Sequence, residues 1–205
     1  MNKQVETHID VQFSNRNRAT VFWRGVLVVP FMIFISSFHM VTIHMVTIHT
    51  VTNHMVWSTP IVVAPAFLAL LFRQVYPSYL LTFNHAVTEL STRGSAYLLL
   101  LTDDYPSIER NPNIAVIFPD VAGGKGVNRY LPLVKWILAI PLYIVGVIYL
   151  AISAVITIIA WVITSITGTY PEWAVKVVLG TIVFWNRVLG YAFLLVTDEY
   201  PSFSL

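Results

Sequence analysis

Four histidines and two pairs of acids are the side chains here whose types and spacing could do chemistry. His39, His44, His49 and His54 recur every five residues in a run of near-identical Met, Val, Thr and Ile pentads. Imidazoles in an uncharged apolar stretch invite ligation of a haem, a pigment or a metal. The spacing opposes it. On a helix, a step of five turns about 140° past a full turn, and on a strand an odd step alternates faces. Neither arrangement gathers four ligands within one chain. A single His could still ligate a porphyrin axially, but nothing singles one out. The run therefore reads as a lengthened, partly exposed tip of a hairpin. No cofactor or metal is expected, and haem or pigment ligation by one of the four is the alternative.

The acids are Asp103-Asp104 and Asp198-Glu199, each framed as Thr-Asp-acid-Tyr-Pro-Ser. Paired carboxylates can hold a cation or act as acid and base. These two pairs sit between the end of an apolar run and Tyr105-Pro106 or Tyr200-Pro201, where such residues stop helices and form turns. Arg93 and Arg187 lie about ten residues upstream, close enough after a chain reversal to contact acids or carbonyls of the turn. We expect a structural motif made of Arg93, Asp103, Tyr105, Pro106, Arg187, Asp198, Tyr200 and Pro201, with no catalytic residue and no enzymatic activity.

Both motifs belong to a segment that occurs twice. Tyr76-Pro77 through Arg93 to Pro106-Ser107 matches Tyr170-Pro171 through Arg187 to Pro201-Ser202, and upstream Arg24 and Lys135 each lie six residues before a proline, Pro30 or Pro141. Self-similarity at a long period defines the unit of folding. The chain divides into repeat one at 1–107, a linker at 108–130 and repeat two at 131–205. Pro30 to Tyr76 is 17 positions longer than Pro141 to Tyr170, and the excess coincides with the His array, an insertion at about 39–55. The Gly123-Gly124-Lys125-Gly126 run reads as a flexible connector, because no strand-loop-helix context supports a phosphate cradle.

Composition places the unit in a membrane. Of 205 residues, 57% are hydrophobic and 11% charged, against about 25% charged in a soluble domain; the mean hydropathy is +0.72. Residues 25–72 and 136–171 contain no Asp, Glu, Lys or Arg. As one helix the second stretch would measure on the order of 50 Å, against about 30 Å of hydrocarbon. Two crossings, a helical hairpin, would use it up. We expect four spanning helices, at roughly 20–38, 56–73, 131–148 and 150–167, with Pro30 and Pro141 kinking the first helix of each hairpin. Basic residues flank both hairpins and are missing from their tips, which puts both termini and the linker on the cytoplasmic side. The repeats are then parallel rather than inverted. Segments 78–92 and 172–186 are amphipathic and should lie along the cytoplasmic surface, anchored by residues such as Tyr79, Trp173, Val177 and Phe184. Val5 to Phe13 alternates as a strand does; Ile114–Phe118 is too short for periodicity to decide. The first 19 residues are polar and no small-residue cleavage site follows, so no cleavable signal peptide is expected. No Cys is present, which excludes disulfides, and a net charge of +2 is too small to suggest nucleic acid.

Gly168-Thr169-Tyr170-Pro171-Glu172-Trp173, Gly180, Arg187, Tyr191 and Leu194-Leu195-Val196-Thr197-Asp198-Glu199-Tyr200-Pro201-Ser202-Phe203 resemble the signature of a bacterial membrane family known as a domain of unknown function, number 4389. The family ends Tyr-Pro-Pro-Phe where this chain has Ser202 in the second Pro position. In the first copy Gln74 stands where Gly168 does in the second, and no Trp follows Tyr76-Pro77. The resemblance implies a multi-pass protein of a bacterial cytoplasmic membrane and no known activity.

The expected fold is therefore an all-α membrane protein of two parallel tandem repeats. Each is a transmembrane hairpin with a surface amphipathic helix and a short N-terminal strand. The expected role is a non-enzymatic structural or accessory subunit of a larger membrane assembly, with membrane lipids and other membrane subunits as partners. The alternative is lipid or small-molecule handling or transport in the groove between the repeats.

Overall fold

The computed structural model of the chain describes residues 3–36, 40–47, 50–57, 63–109 and 111–205. It is mostly helical. In chain order come β1 (Glu6–Ile9), α1 (Arg18–Phe22), α2 (Arg24–Leu27), α3 (Val29–Ser36), β2 (Met40–Thr47), β3 (Thr50–Trp57), α4 (Val63–Arg73), α5 (Ser78–Leu98), β4 (Ile114–Ile117), α6 (Pro132–Leu138), α7 (Ile140–Thr167) and α8 (Glu172–Ala192). α7 and α8 are long and apolar enough to cross a membrane.

Three layers stack. β1 and β4 pair antiparallel, Thr7 opposite Val116. Beneath them lie α5 and α8. Asn186 of α8 donates to Thr7 Oγ1 at 3.0 Å and to Thr92 Oγ1 of α5 at 3.1 Å, so one buried amide ties sheet and both helices together. His85 of α5 meets the Val116 carbonyl at 2.7 Å and stands edge-on to Phe118. The third layer packs on the far side. α8 turns Phe184 and Val188 toward Ala139 and Leu142, while α5 turns Leu90 and Tyr97 toward Val28, Phe31 and Ile35. Phe184 and Asn186 are two residues apart, about 200° around the helix, which is why one helix serves two opposite layers. Gly146 of α7 permits the closest approach, since a Cβ there would lie 2.7 Å from the Trp185 ring.

Several expectations are corrected. The hairpin of 131–148 and 150–167 does not form; residues 140–167 are one helix of 28 residues, about 42 Å long. After Pro141 the segment holds no Pro, Asn or Asp and a single Gly, so nothing interrupts the backbone bonds. The expectation of two crossings assumed that the helix must run across the bilayer. The helix stops at Gly168, which takes φ +75°, a conformation open to glycine without strain. Each proline follows a break in the helix: α6 ends at Leu138 and α7 starts at Ile140, α2 ends at Leu27 and α3 starts at Val29. Pro141 then occupies the first turn of α7, and Pro30 is likewise second in α3. Among the described residues, the predicted helix 20–38 is three short pieces, and that of 56–73 is helix over Val63–Arg73 with Val56 and Trp57 in β3; residues 37, 38 and 58–62 lie outside the described residues.

The fold is not all-α. Within the His-rich insertion β2 and β3 pair with each other, Ile43 opposite His54 and His44 opposite Asn53. Thr- and Val-rich alternation favours strands over helix here. His39 and His49 lie outside the described residues. The helices placed on the cytoplasmic surface, 78–92 and 172–186, are instead the middle layer. Trp173 is exposed but Phe184 is fully buried, because both faces of the helix have neighbours. The Gly run of the linker is ordered: a 3-10 turn at Ala122–Gly124 has the Gly123 carbonyl accept from Tyr76 N at 2.9 Å, and a Cβ on Gly124 would strike that same backbone.

Candidate functional site

Asp103 and Asp198, the first acids of the two Thr-Asp motifs, each anchor a station of buried positive charge. At the first, Asp103 receives two arginines. Arg16 donates to it from Nε at 2.9 Å, with Nη2 in ion-pair range at 2.8 Å, and Arg24 pairs with the same oxygen. Both guanidiniums are buried. Arg16 also donates to the carbonyls of Gln12 and Leu100, and Arg24 to that of Tyr97, over whose ring it lies at 4.5 Å. At the second end, Lys135 is fully buried and reaches Asp198 at 2.7 Å and the Thr197 carbonyl at 2.6 Å. It sits 5.1 Å from the Tyr191 ring. Burial pulls the Lys135 ammonium below its ordinary range, while the bond and charge of Asp198 pull the other way.

Apart from Arg16, which has no counterpart at Asp198, the two stations share a set of matching contacts. Asn17 N donates to Asp103 and Asn128 N to Asp198. The Asn17 side chain caps α1, and that of Asn128 accepts from Tyr130 and Leu131 ahead of α6. Thr102 Oγ1 accepts from Asp104 N, and Thr197 Oγ1 from Glu199 N. Tyr105 packs edge-on to Tyr97, and Tyr200 to Tyr191, both at 5.6 Å. Pro106 and Pro201 are buried behind them. Leu100 and Leu195 both take positive φ, 67° and 58°. A left-handed Leu costs about 1–2 kcal/mol, offset here by complete burial of the side chain.

Each upstream arginine contacts carbonyls beyond the turn rather than its aspartate. Arg93 donates to the carbonyls of Ser107 and Glu109 and pairs with Glu89, one turn away, at 3.3 Å. Arg187 bonds Ser202 and Ser204. Asp103 lies ten positions after Arg93 and Asp198 eleven after Arg187, and each arginine reaches the irregular segment beyond the aspartate. The partners of Asp103 and Asp198 are the basic residues six before each proline, together with Arg16. The matched spacing of Arg24 and Lys135 was the available signal for them.

The ends are cross-linked through the middle. Tyr76 donates its hydroxyl to the Leu194 carbonyl at 2.9 Å, and Arg129 holds the carbonyls of Leu71 and Phe72. At the opposite end Tyr170 N bonds the Phe13 carbonyl, Arg16 N the Gly168 carbonyl and Arg18 the Thr167 carbonyl. The Tyr170 hydroxyl has no hydrogen-bond partner among the described residues. Burial pushes it up to about 12, against a smaller opposing pull from Arg16.

One cavity touches the first station. It holds about 280 Å³ and is lined by Phe22, Arg24, Leu98, Thr157, Ile158 and Trp161. Arg24 Nε and Thr157 Oγ1 are buried without hydrogen-bond partners among the described residues. His44 and His54 lie in β2 and β3, far along the chain from either station, and among the described residues no group of three His, Asp or Glu is placed to hold a metal.

No protein-family model matches the chain, and no curated protein and no solved structure matches it.

Proposed function

We propose that the chain is a structural or accessory subunit of a bacterial cytoplasmic-membrane assembly, non-enzymatic, built by tandem duplication of one module and related to the domain-of-unknown-function family it resembles. The observation that carries this reading is how the acids of both Thr-Asp motifs are used. Asp103 and Asp198 are each occupied by buried cations and by a backbone N–H at a chain reversal, which is the work of a clamp. Outside those clamps α7 presents aliphatic side chains outward along its length. Exposed apolar surface this continuous marks a membrane or a partner. Membrane lipids and other membrane subunits are the partners, and nucleic acid is not.

The test is native purification in mild detergent, with mass spectrometry of co-purifying chains. A stoichiometric membrane partner is the expected result. Recovery of the chain alone, from membranes where it is abundant, would overturn the subunit reading.

One observation favours a second reading, in which the protein handles an amphiphile. The cavity beside Arg24 is apolar apart from Arg24 and Thr157, and two arginines share the Asp103 carboxylate at that end. A lipid or fatty acid co-purifying in one-to-one ratio, and lost in Trp161→Arg, would favour it.

A further inference from the structure

We infer that the protein lies on one leaflet of the bilayer, with α7 embedded lengthwise in the membrane plane and the β1–β4 sheet facing water. This rests on the membrane reading above and specifies its geometry: the partner of the α7 face is lipid hydrocarbon.

Taken alone, α7 is long and apolar enough to cross. What forbids the crossing is the company it keeps. The approach to α7 through α6 is fixed at the station where Lys135 and Thr197 meet, and Thr197 Oγ1 also bonds the Lys3 carbonyl. The far end of α7 is fixed where Gly168 and Tyr170 bond Arg16 and Phe13. Residues 3–16 therefore run from one end of α7 to the other. An extended chain from Lys3 to Phe13 reaches about 33–36 Å, which suits the length of the helices it follows. The return path is also polar: Asp10 N bonds the Asn113 carbonyl at the first end, β4 follows, and Gly123 meets Tyr76 at the second.

If α7 stood across the bilayer, these two strands would cross with it. They carry Glu6, His8, Asp10, Gln12, Asn113 and Asp120, and His8 and Asp120 are exposed. A two-stranded sheet also has two open edges. Open sheet edges do not occur against lipid at hydrocarbon depth, and charged side chains there are rare and costly. Both ends of α7 are therefore on the same aqueous side.

The layering then fixes which face is buried. The sheet lies on one side of α8 and α7 on the opposite side. The outer stripe of α7 is Ile144, Val147, Val155, Ile158, Val162 and Ile166, between 46% and 68% exposed. It continues from one end of the helix to the other without a charge. A helix lying in the interface sinks about 5–10 Å. At the two ends stand Trp23 beside Arg24 and Trp136 beside Lys135, both indoles half exposed, in keeping with aromatic and basic residues at headgroup level.

The chain contains no Cys, so single cysteines report without a background. Full-length protein is reconstituted into vesicles of phosphatidylcholine and phosphatidylglycerol, and flotation scores binding first. Nitroxides at 144, 147, 155, 158, 162 and 166 are then read by power saturation, and Thr169→Cys and Val147→Cys are challenged with an impermeant maleimide from each side. In-plane seating predicts one shallow depth at all six positions, reaction of Thr169→Cys from one side, and no reaction of Val147→Cys from the other. A depth profile that peaks at the bilayer midplane near 155, or labelling of Val147→Cys from the side opposite Thr169→Cys, overturns the inference while leaving membrane association intact. Protein that stays with the aqueous fraction at flotation overturns the membrane reading itself.

Discussion

Lys135 and Asp198 lie 2.7 Å apart with the lysine wholly out of solvent, and the pair joins the approach to the longest helix, α7, to the turn that follows the last one. A cation so placed depends on its partner, because an uncompensated buried charge costs about 3–5 kcal/mol. Asp198→Asn should therefore destabilise the protein by about that much in detergent thermal unfolding. The double variant Lys135→Met, Asp198→Asn should recover most of the loss. Should the double variant prove no more stable than Asp198→Asn alone, the pair is not what holds this end together.

Tyr170 gives an alkaline signature. Its phenol stays protonated to about 12 when folded, against 10.0 otherwise. The folded state binds that proton more tightly, so the contribution is whole below pH 10 and is lost as the pH rises from 10 to 12. Two units correspond to roughly 2.7 kcal/mol. Tyr170→Phe removes no hydrogen bond among the described residues. It should match the parent at pH 7 and lose stability less steeply between pH 10 and 12. Parallel curves for the two proteins would place the alkaline transition elsewhere.

Gly146 is the point where α7 meets α8. A Cβ would approach the Trp185 ring at 2.7 Å and Phe184 at 3.1 Å. Gly146→Ala gains about 1 kcal/mol of helix propensity but forces both rings outward, and crowding of this kind costs about 1–3 kcal/mol. Gly146→Leu should be worse still and shift tryptophan emission. A Gly146→Leu protein as stable as the parent would mean that the two helices are free to separate.

Asn186 joins three elements through Thr7 and Thr92. Asn186→Leu leaves the buried Thr92 hydroxyl and the half-buried Thr7 hydroxyl short of a donor, at about 1–3 kcal/mol for the buried one. The sheet should loosen first, seen as faster amide exchange at residues 6–9 and 114–117. Unchanged protection there would show that the sheet is held by other contacts.

The His-rich strands pair with each other in a sheet of their own. Deleting residues 39–55 should leave a chain that still binds membranes and keeps its helical circular dichroism, since residues 136–171 need no such insertion. A cofactor role predicts instead an absorbance band or a metal content that disappears with the deletion and with His44→Ala or His54→Ala.

Read along the chain, the sequence by itself determined the apolar character, the absence of charge from 25–72 and 136–171, the turns at both Thr-Asp motifs and the strand near Val5, while the strand near Ile114 was too short for its pattern to decide. Each of these depends on residue type over short spacing: alternation, a proline, a run without charge. It also showed that Arg24 and Lys135 hold like positions before a proline. It did not show what they meet, because Asp103 is 79 residues from Arg24 and no local rule spans that distance. Tertiary structure decided three things. It made one helix of the stretch expected to fold back, since a helix ends where caps and breakers end it and bilayer thickness does not enter. It drew α5 and α8 into the middle layer, since amphipathic faces find protein when two layers are offered. And it ran polar strands between the two ends of α7, so that the direction of an apolar helix in a membrane is set by the neighbours fixed to its ends.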